Sequence, residues 1–405
     1  MIGCDSMILR GRYINRIRPF IHTDLIKVLT GIRRSGKSVM LKLIQQELLQ
    51  QGVSEWQILA INFENLENIA LCEPIALHNH IMDYAKNVKG KLYLFLDEIQ
   101  EAADWERVIS SLRISIDVDI YITGSNAKLL SGELATYLAG RYVQFTIYPF
   151  SYREFLAANK AENDSKSFRQ YMVQGGMPFL TNLAYQQEPS RQYLREIYNS
   201  VMLKDIIQRN KLRDVDLLER IILYSFSSIG NTFSATSIAK YLKNENRKVS
   251  SDTVLSYLKA CTAAYLLNKV SRMDLQGKKL LSVNEKYYAA DIGIREAVYG
   301  NNMRDVNQIL ENIVCLDLLS RGYNVSIGKL GDYEIDFIAE KNSKIMYVQV
   351  TYLLASEDTI EREFGVYRHI RDNFPKYVLS MDEFDFSRDG IQHENIRDFL
   401  LREED

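Results

Sequence analysis

The sequence predicts an α/β fold, built on a parallel sheet over roughly its first 150 residues and continued by helical and mixed segments. Three observations carry this. Short apolar runs of strand length alternate with helical patterns as far as Ile147. Those runs are apolar at nearly every position, as in strands covered on both faces. The composition is globular, with 46% apolar and 25% charged residues, 43 aromatics and 6 prolines in 405 residues. That balance excludes disorder.

The elements follow in order. Leu25–Thr30 reads as a strand, and Ser38–Gln51 as a helix with apolar positions at Val39, Leu41, Ile44, Leu48 and Leu49. Strands are predicted at Ile58–Phe63, Leu92–Leu96, Val118–Thr123 and Tyr142–Ile147, with helical stretches between them. Residues 151–210 read as a helical lid or connector, broken at Gly175-Gly-Met-Pro178. Helices at Asp216–Ile229, Ser234–Leu242 and Ser251–Leu258 precede a strand pair, Tyr265–Val270 and Lys279–Asn284, which is a winged-helix layout. A helix around Glu311–Leu319 and strands at Tyr323–Ile327, Glu334–Ile338 and Met346–Val350 close the chain. The expected domains are 1–150, 151–215, 216–300 and 301–405.

Between the first strand and its helix stands Gly31-Ile-Arg-Arg-Ser-Gly-Lys-Ser38, which is GxxxxGK[ST] in the strand–loop–helix setting that the motif needs. Its glycines let backbone N–H groups face phosphates, and the helix start favours an anion. Gly31, Arg33, Arg34, Ser35, Gly36, Lys37, Ser38 and Val39 form the expected ATP-binding set. Lys37 reaches the β- and γ-phosphates, and the Ser38 hydroxyl ligates Mg2+. The third strand ends in Asp97-Glu98, where Asp97 can hold Mg2+ and Glu98 can orient the attacking water. The fourth strand runs into Thr123-Gly-Ser-Asn126, with Asn126 first and Ser125 second as γ-phosphate contacts; a simple turn is the alternative. Arg141, at the start of the fifth strand, either stabilises transition-state charge or packs on Tyr142.

These segments together (GIRRSGKS, LFLDEIQ, YITGSN and GRY) resemble a bacterial and archaeal group of AAA-type ATPases whose C-terminal half carries the domain of unknown function DUF4143. The resemblance spans essentially the whole chain. It implies a P-loop NTPase fold with strand order 5-1-4-3-2. It also implies nucleotide at Gly31, Lys37 and Ser38, metal and water at Asp97 and Glu98, a first sensor at Asn126 and an arginine finger at Arg141. Lys204 and Arg209 are the second-sensor candidates. A homo-oligomer is implied only if a finger acts between subunits.

The C-terminal segment has a restriction-endonuclease-like pattern: an acid on a helix (Glu311), an acid on a strand (Asp336), and Gln349-Val-Thr351 where acid-x-Lys is expected. The lysine is missing, so this reads as a degraded nuclease site, with Lys329 and Lys344 as the only substitutes in view. Charge adds two partner readings. The formal net charge of -2, from 50 basic and 52 acidic side chains, excludes a uniformly basic nucleic-acid binder. By segment, residues 231–290 carry 10 basic and 4 acidic residues, which allows duplex DNA contact through Lys240, Lys243, Arg247, Lys248, Lys259, Lys278 and Lys279 or a merely solvated face. Residues 331–405 carry 9 basic and 18 acidic residues, which fits a protein partner better than DNA.

The four cysteines stand singly with no CxxC pair, so they read as reduced, mostly buried thiols. No signal-like apolar segment opens the chain and no run of about 18 apolar residues occurs, so a soluble, cytoplasmic protein with no membrane partner is expected. The histidines show no metal-ligand spacing beyond His78 and His80, read as surface, and Trp56 and Trp105 read as packing aromatics.

Overall fold

The computed structural model describes residues 7–125, 140–275, 277, 279–300 and 305–403, without side-chain detail for 279–284. The chain forms two compact units. One comprises the residues up to Ile147 together with Ala263–Tyr265, and the other comprises the remainder.

In the first unit, α1 (Gly11–Ile17) leads to β1 (Ile26–Thr30), α2 (Lys37–Gln50), β2 (Ile58–Asn62), α3 (Pro74–Ala85), β3 (Leu92–Asp97), α4 (Trp105–Ser115), β4 (Val118–Thr123) and β5 (Tyr142–Thr146). The strands pair in parallel in the order β2-β3-β4-β1-β5, the order that the resemblance implies. Their side chains alternate between two apolar cores, as the two-residue period of a strand requires. Leu92, Leu94 and Leu96 join Ile81, Val108 and Leu112 beneath α3 and α4. Tyr93 and Phe95 join Ile17, Ile44 and Leu48 beneath α1 and α2. Because both faces are covered, β1, β3 and β4 are buried along their whole length.

A polar network locks the amino ends of β1 and β4. The Lys27 ammonium bonds the Asp119 carboxylate, and both side chains are fully buried. Asp119 also accepts from the His22 backbone N–H at 2.8 Å and the Tyr121 hydroxyl at 2.9 Å. Trp105 is buried as expected, whereas Trp56 lies on the surface at 47% exposure. Nothing in the sequence separates the two, since both follow acidic residues at a helical start.

The second unit opens with α5 (Tyr152–Asn159), α6 (Ser165–Gln174), α7 (Gln187–Ser200) and a π-helical stretch, Val201–Gln208. Then come α8 (Val215–Ser227), the two-residue β6 (Thr232–Phe233), α9 (Ala235–Asn244), α10 (Ser251–Ala263) and the hairpin β7 (Leu267–Asp274) and β8 (Lys279–Ala289). After α11 (Ile292–Val298) and α12 (Val306–Ser320) follow β9 (Asn324–Leu330), β10 (Tyr333–Lys341), β11 (Lys344–Val350), α13 (Glu357–Gly365), β12 (Lys376–Ser380), β13 (Gln392–Asn395) and α14 (Ile396–Leu401). The hairpin and the C-terminal strands make one sheet, ordered β13-β12-β11-β10-β9-β7-β8-β6. A sequence boundary at residue 300 therefore runs through a single sheet, joined where β7 pairs in parallel with β9.

Asp291 caps α11 from a buried position. It accepts from the N–H of Ile294 at 3.0 Å and of Gly176 at 2.8 Å. A Cβ on Gly175 would come within 2.3 Å of its carboxylate, so only glycine fits there. Burial pushes the Asp291 carboxyl up to about 6. Cys261 and Cys315 are buried free thiols and Cys72 is half-buried. No helix among the described residues is long and apolar enough to cross a membrane.

Candidate functional site

The phosphate-loop segment leaves β1 at its carboxyl end and turns sharply. Gly31 has φ +139° and Gly36 has φ +97°, and a Cβ on Gly31 would lie 2.3 Å from the Ile147 carbonyl oxygen. Both positions exclude ordinary side chains. Gly36 caps α2 without a side-chain hydrogen bond, so the first N–H groups of the helix receive no cap from it. The loop is held from behind by the buried Arg10 guanidinium, which donates to the Ser35 carbonyl at 3.1 Å. In the sequence Arg10 sits in an undistinguished basic stretch that carries no motif.

The expected residues converge. The Lys37 ammonium donates to the carbonyls of Gly31 at 3.1 Å and Ile32 at 3.2 Å, and lies 4.0 Å from the Glu98 carboxylate. Asp97 ends β3 beside β2 and β4. It accepts from the Asn62 side-chain amide at 3.0 Å and the Thr123 hydroxyl at 2.5 Å. Burial pushes the Asp97 carboxyl above its usual range, and hydrogen bonds from Thr123 and Ser38 act in the opposite sense. Glu98 adopts a left-handed φ of +54°, its N–H donates to the Thr123 hydroxyl at 2.8 Å, and Gln100 donates to its carboxylate. Thr123 thus bridges both acids, although in the sequence it reads only as a β-branched strand former.

Of the other loop residues, Ser35 is buried with an unpaired hydroxyl, Ser38 and Val39 are exposed, Arg34 is exposed at φ +69°, and Arg33 lies 3.5 Å from Glu64. Ser125 is fully buried, and Asn126 lies outside the described residues. Arg141 is exposed, and its carbonyl pairs with the N–H of Ile26, at the amino end of the sheet. Five strand residues separate that level from Gly31, about 16 Å at 3.3 Å per residue. Lys204 and Arg209 belong to the second unit, where Arg209 pairs with Asp205 at 3.6 Å.

In the second unit Arg247 is engaged by Asp214 at 2.6 Å and by Asp216, so it is not the free phosphate contact that charge counting made it. Lys278 and the Lys279 side chain lie outside the described residues. Glu311 and Asp336 do come together, around the buried ammonium of Lys286 on β8, and Gln349 joins them by accepting from the Asp336 N–H. Thr351 is buried, and its N–H donates to the Leu379 carbonyl at 2.9 Å.

A parallel sheet ordered around β1, a glycine loop opening onto a helix, and a paired acid at the end of β3 define a class. The AAA domain family matches residues 23–156. A solved Walker-type ATPase of Pyrococcus abyssi shares the fold at a TM-score of 0.51, with 13% identity, over 73% of this chain and 97% of that one. The first part of the protein thus matches the AAA domain family, and the chain shares its fold with that Walker-type ATPase. The whole chain belongs to the family of an uncharacterized Haemophilus influenzae protein, to which it is 37% identical over 403 residues, 98% of this chain and 99% of that one. An uncharacterized protein of Methanocaldococcus jannaschii is 30% identical over 380 residues, covering 88% and 81% of the two chains. Residues 165–305 match a different domain of unknown function from the one expected, DUF8612 rather than DUF4143. The motifs behind the resemblance lie before residue 150 and do not determine which domain follows.

Proposed function

We propose that the protein binds and hydrolyses ATP with Mg2+. The supporting observation is the convergence of Lys37, Asp97, Glu98 and Thr123 from three strand ends beside the uncapped start of α2. The residues fit both groups. The Gly31 turn has no room for a side chain, the unpaired Ser35 hydroxyl lies in the loop, and the Lys37 ammonium donates to two loop carbonyls. Gly31, Arg33, Arg34, Ser35, Gly36, Lys37, Ser38 and Val39 would cradle the phosphates, with Lys37 turning from the carbonyls to the β- and γ-oxygens. Ser38 and Asp97 would hold Mg2+, which when bound neutralises phosphoryl charge.

Glu98 aligns water for in-line attack on the γ-phosphorus and accepts its proton, while Thr123 fixes the Glu98 backbone. Asn126, or Ser125 beside it, would contact the γ-phosphate. Arg141 lies too far along β1 to serve its own loop, which favours action on a neighbouring subunit of a homo-oligomer. Steady-state turnover tests the reading. Lys37→Ala and Glu98→Gln should each abolish it, and wild-type turnover no higher than theirs would refute it.

A second reading concerns α8–α10 and the hairpin, which we take as a winged helix. Lys240, Lys243, Lys248 and Lys259 are exposed there, and α10 would enter the major groove of duplex DNA. Charge reversal at those four lysines should lower duplex affinity at least about tenfold at low salt in a gel shift. Unchanged affinity would leave the acidic C-terminal segment, and a protein partner, as the working surface.

A further inference from the structure

The C-terminal acids occupy the places from which a nuclease of this strand pattern would hold a divalent cation, yet the residues present do not fit one. Lys286, on β8, puts its ammonium 2.9 Å from Glu311, 2.9 Å from Glu334 and 3.7 Å from Asp336. An ammonium has three N–H donors, and here it faces three carboxylates. Its side chain is only 4% exposed, so it cannot swing out to solvent without opening the cluster.

Other donors share these carboxylates. The Tyr288 hydroxyl donates to Glu311 at 2.6 Å, and the Val350 N–H donates to Asp336 at 2.9 Å. Gln349, the expected carbonyl ligand, has both ends committed. Its oxygen accepts from the Asp336 N–H at 2.7 Å, and its NH2 donates to Glu363 at 3.0 Å. A side chain at Gly230 would crowd Glu311, since a Cβ there would lie 2.9 Å from its carboxylate. A divalent ion brought among these acids would meet a fixed positive charge at contact distance.

We infer that the Lys286 ammonium is the resident cation of this acid set, which makes it a metal-free ion cluster fastening the hairpin to α12 and β10 rather than a nuclease centre. This inference is independent of the ATPase reading.

Mn2+ binding to the full chain, followed by the EPR signal of free Mn2+ without nucleotide, tests it. Wild type and Asp336→Asn should bind Mn2+ alike, because any ion at the phosphate loop is common to both. Lys286→Ala should gain one Mn2+ site at least about tenfold tighter than any in wild type, and added Asp336→Asn should remove it. Lys286→Ser also vacates the ammonium's place and serves if the alanine variant fails to fold. A Mn2+ ion that wild type loses on Asp336→Asn overturns the inference, as does a folded lysine variant that gains no site. If neither lysine variant folds, the wild-type comparison decides alone. Plasmid cleavage in Mn2+ that depends on Asp336 would also overturn it.

Discussion

Thr123→Val removes a hydroxyl that bonds both Asp97 and Glu98 in the candidate site. Valine keeps the shape, and Thr123 is fully buried, so packing changes little. Two polar groups lose a partner: the Glu98 N–H, which donates to Thr123 at 2.8 Å, and the Asp97 carboxylate, which accepts from it at 2.5 Å. Each orphaned buried group costs about 1–3 kcal/mol. Asp97 still accepts from Asn62, which places its share at the low end. The expected destabilisation is about 2–4 kcal/mol in urea unfolding.

The chemical consequence is separate. Glu98 is held at a left-handed φ of +54°, a conformation that costs a non-glycine residue about 1–3 kcal/mol. Without the Thr123 bond it can relax and withdraw the carboxylate. If about 2 kcal/mol of that restraint acts in the transition state, turnover falls about 30-fold. Nucleotide affinity should stay within about threefold, because the phosphate loop is untouched. Thr123→Ser keeps the hydroxyl and should sit near wild type. Wild-type turnover and stability in Thr123→Val would refute the bridging role.

Three further outcomes are expected. Asp119→Ala strands the buried Lys27 ammonium and should cost about 3–5 kcal/mol in chemical denaturation, whereas Lys27→Met with Asp119→Leu should cost far less. Asp291 is held up to about 6 in the folded state, above its ordinary value, so the folded protein binds the extra proton. The stability this group contributes is full below about pH 4 and is lost as pH rises through about 6, a fall of about 3 kcal/mol read as a slope in urea midpoints that Asp291→Asn flattens. Gly31→Ala drives a Cβ into the Ile147 carbonyl, so fluorescent-nucleotide titration should show binding lost and not merely weakened.

The first unit was largely legible. Its central strands β1, β3 and β4 are buried on both faces and therefore read as mostly apolar runs, and Gly31–Ser38 and Asp97-Glu98 carry their chemistry in local order. What escaped depends on distant pairing. Lys286 sits in a strand beside Glu285, where alternation reads as a solvent-facing charge, and its acid partners arrive 25 to 50 residues later. Arg247 counted as a free cation because its acids lie 31 and 33 residues upstream. β12 and β13 are short and set in acidic sequence, and only neighbouring strands identify them. The join of β7 to β9 spans a hairpin and two helices, beyond any local pattern.

That join governs where the polypeptide can be cut. Ending the chain near residue 300 would strip β9 from β7 and leave a row of unpaired backbone amides and carbonyls in the middle of what had been a sheet. Such an edge is adhesive, and a fragment stopping there should precipitate or pair with itself. Beginning a fragment at residue 301 would bare the same seam from the other side. For expression, labelling or crystallography the hairpin and the C-terminal strands are therefore one indivisible piece.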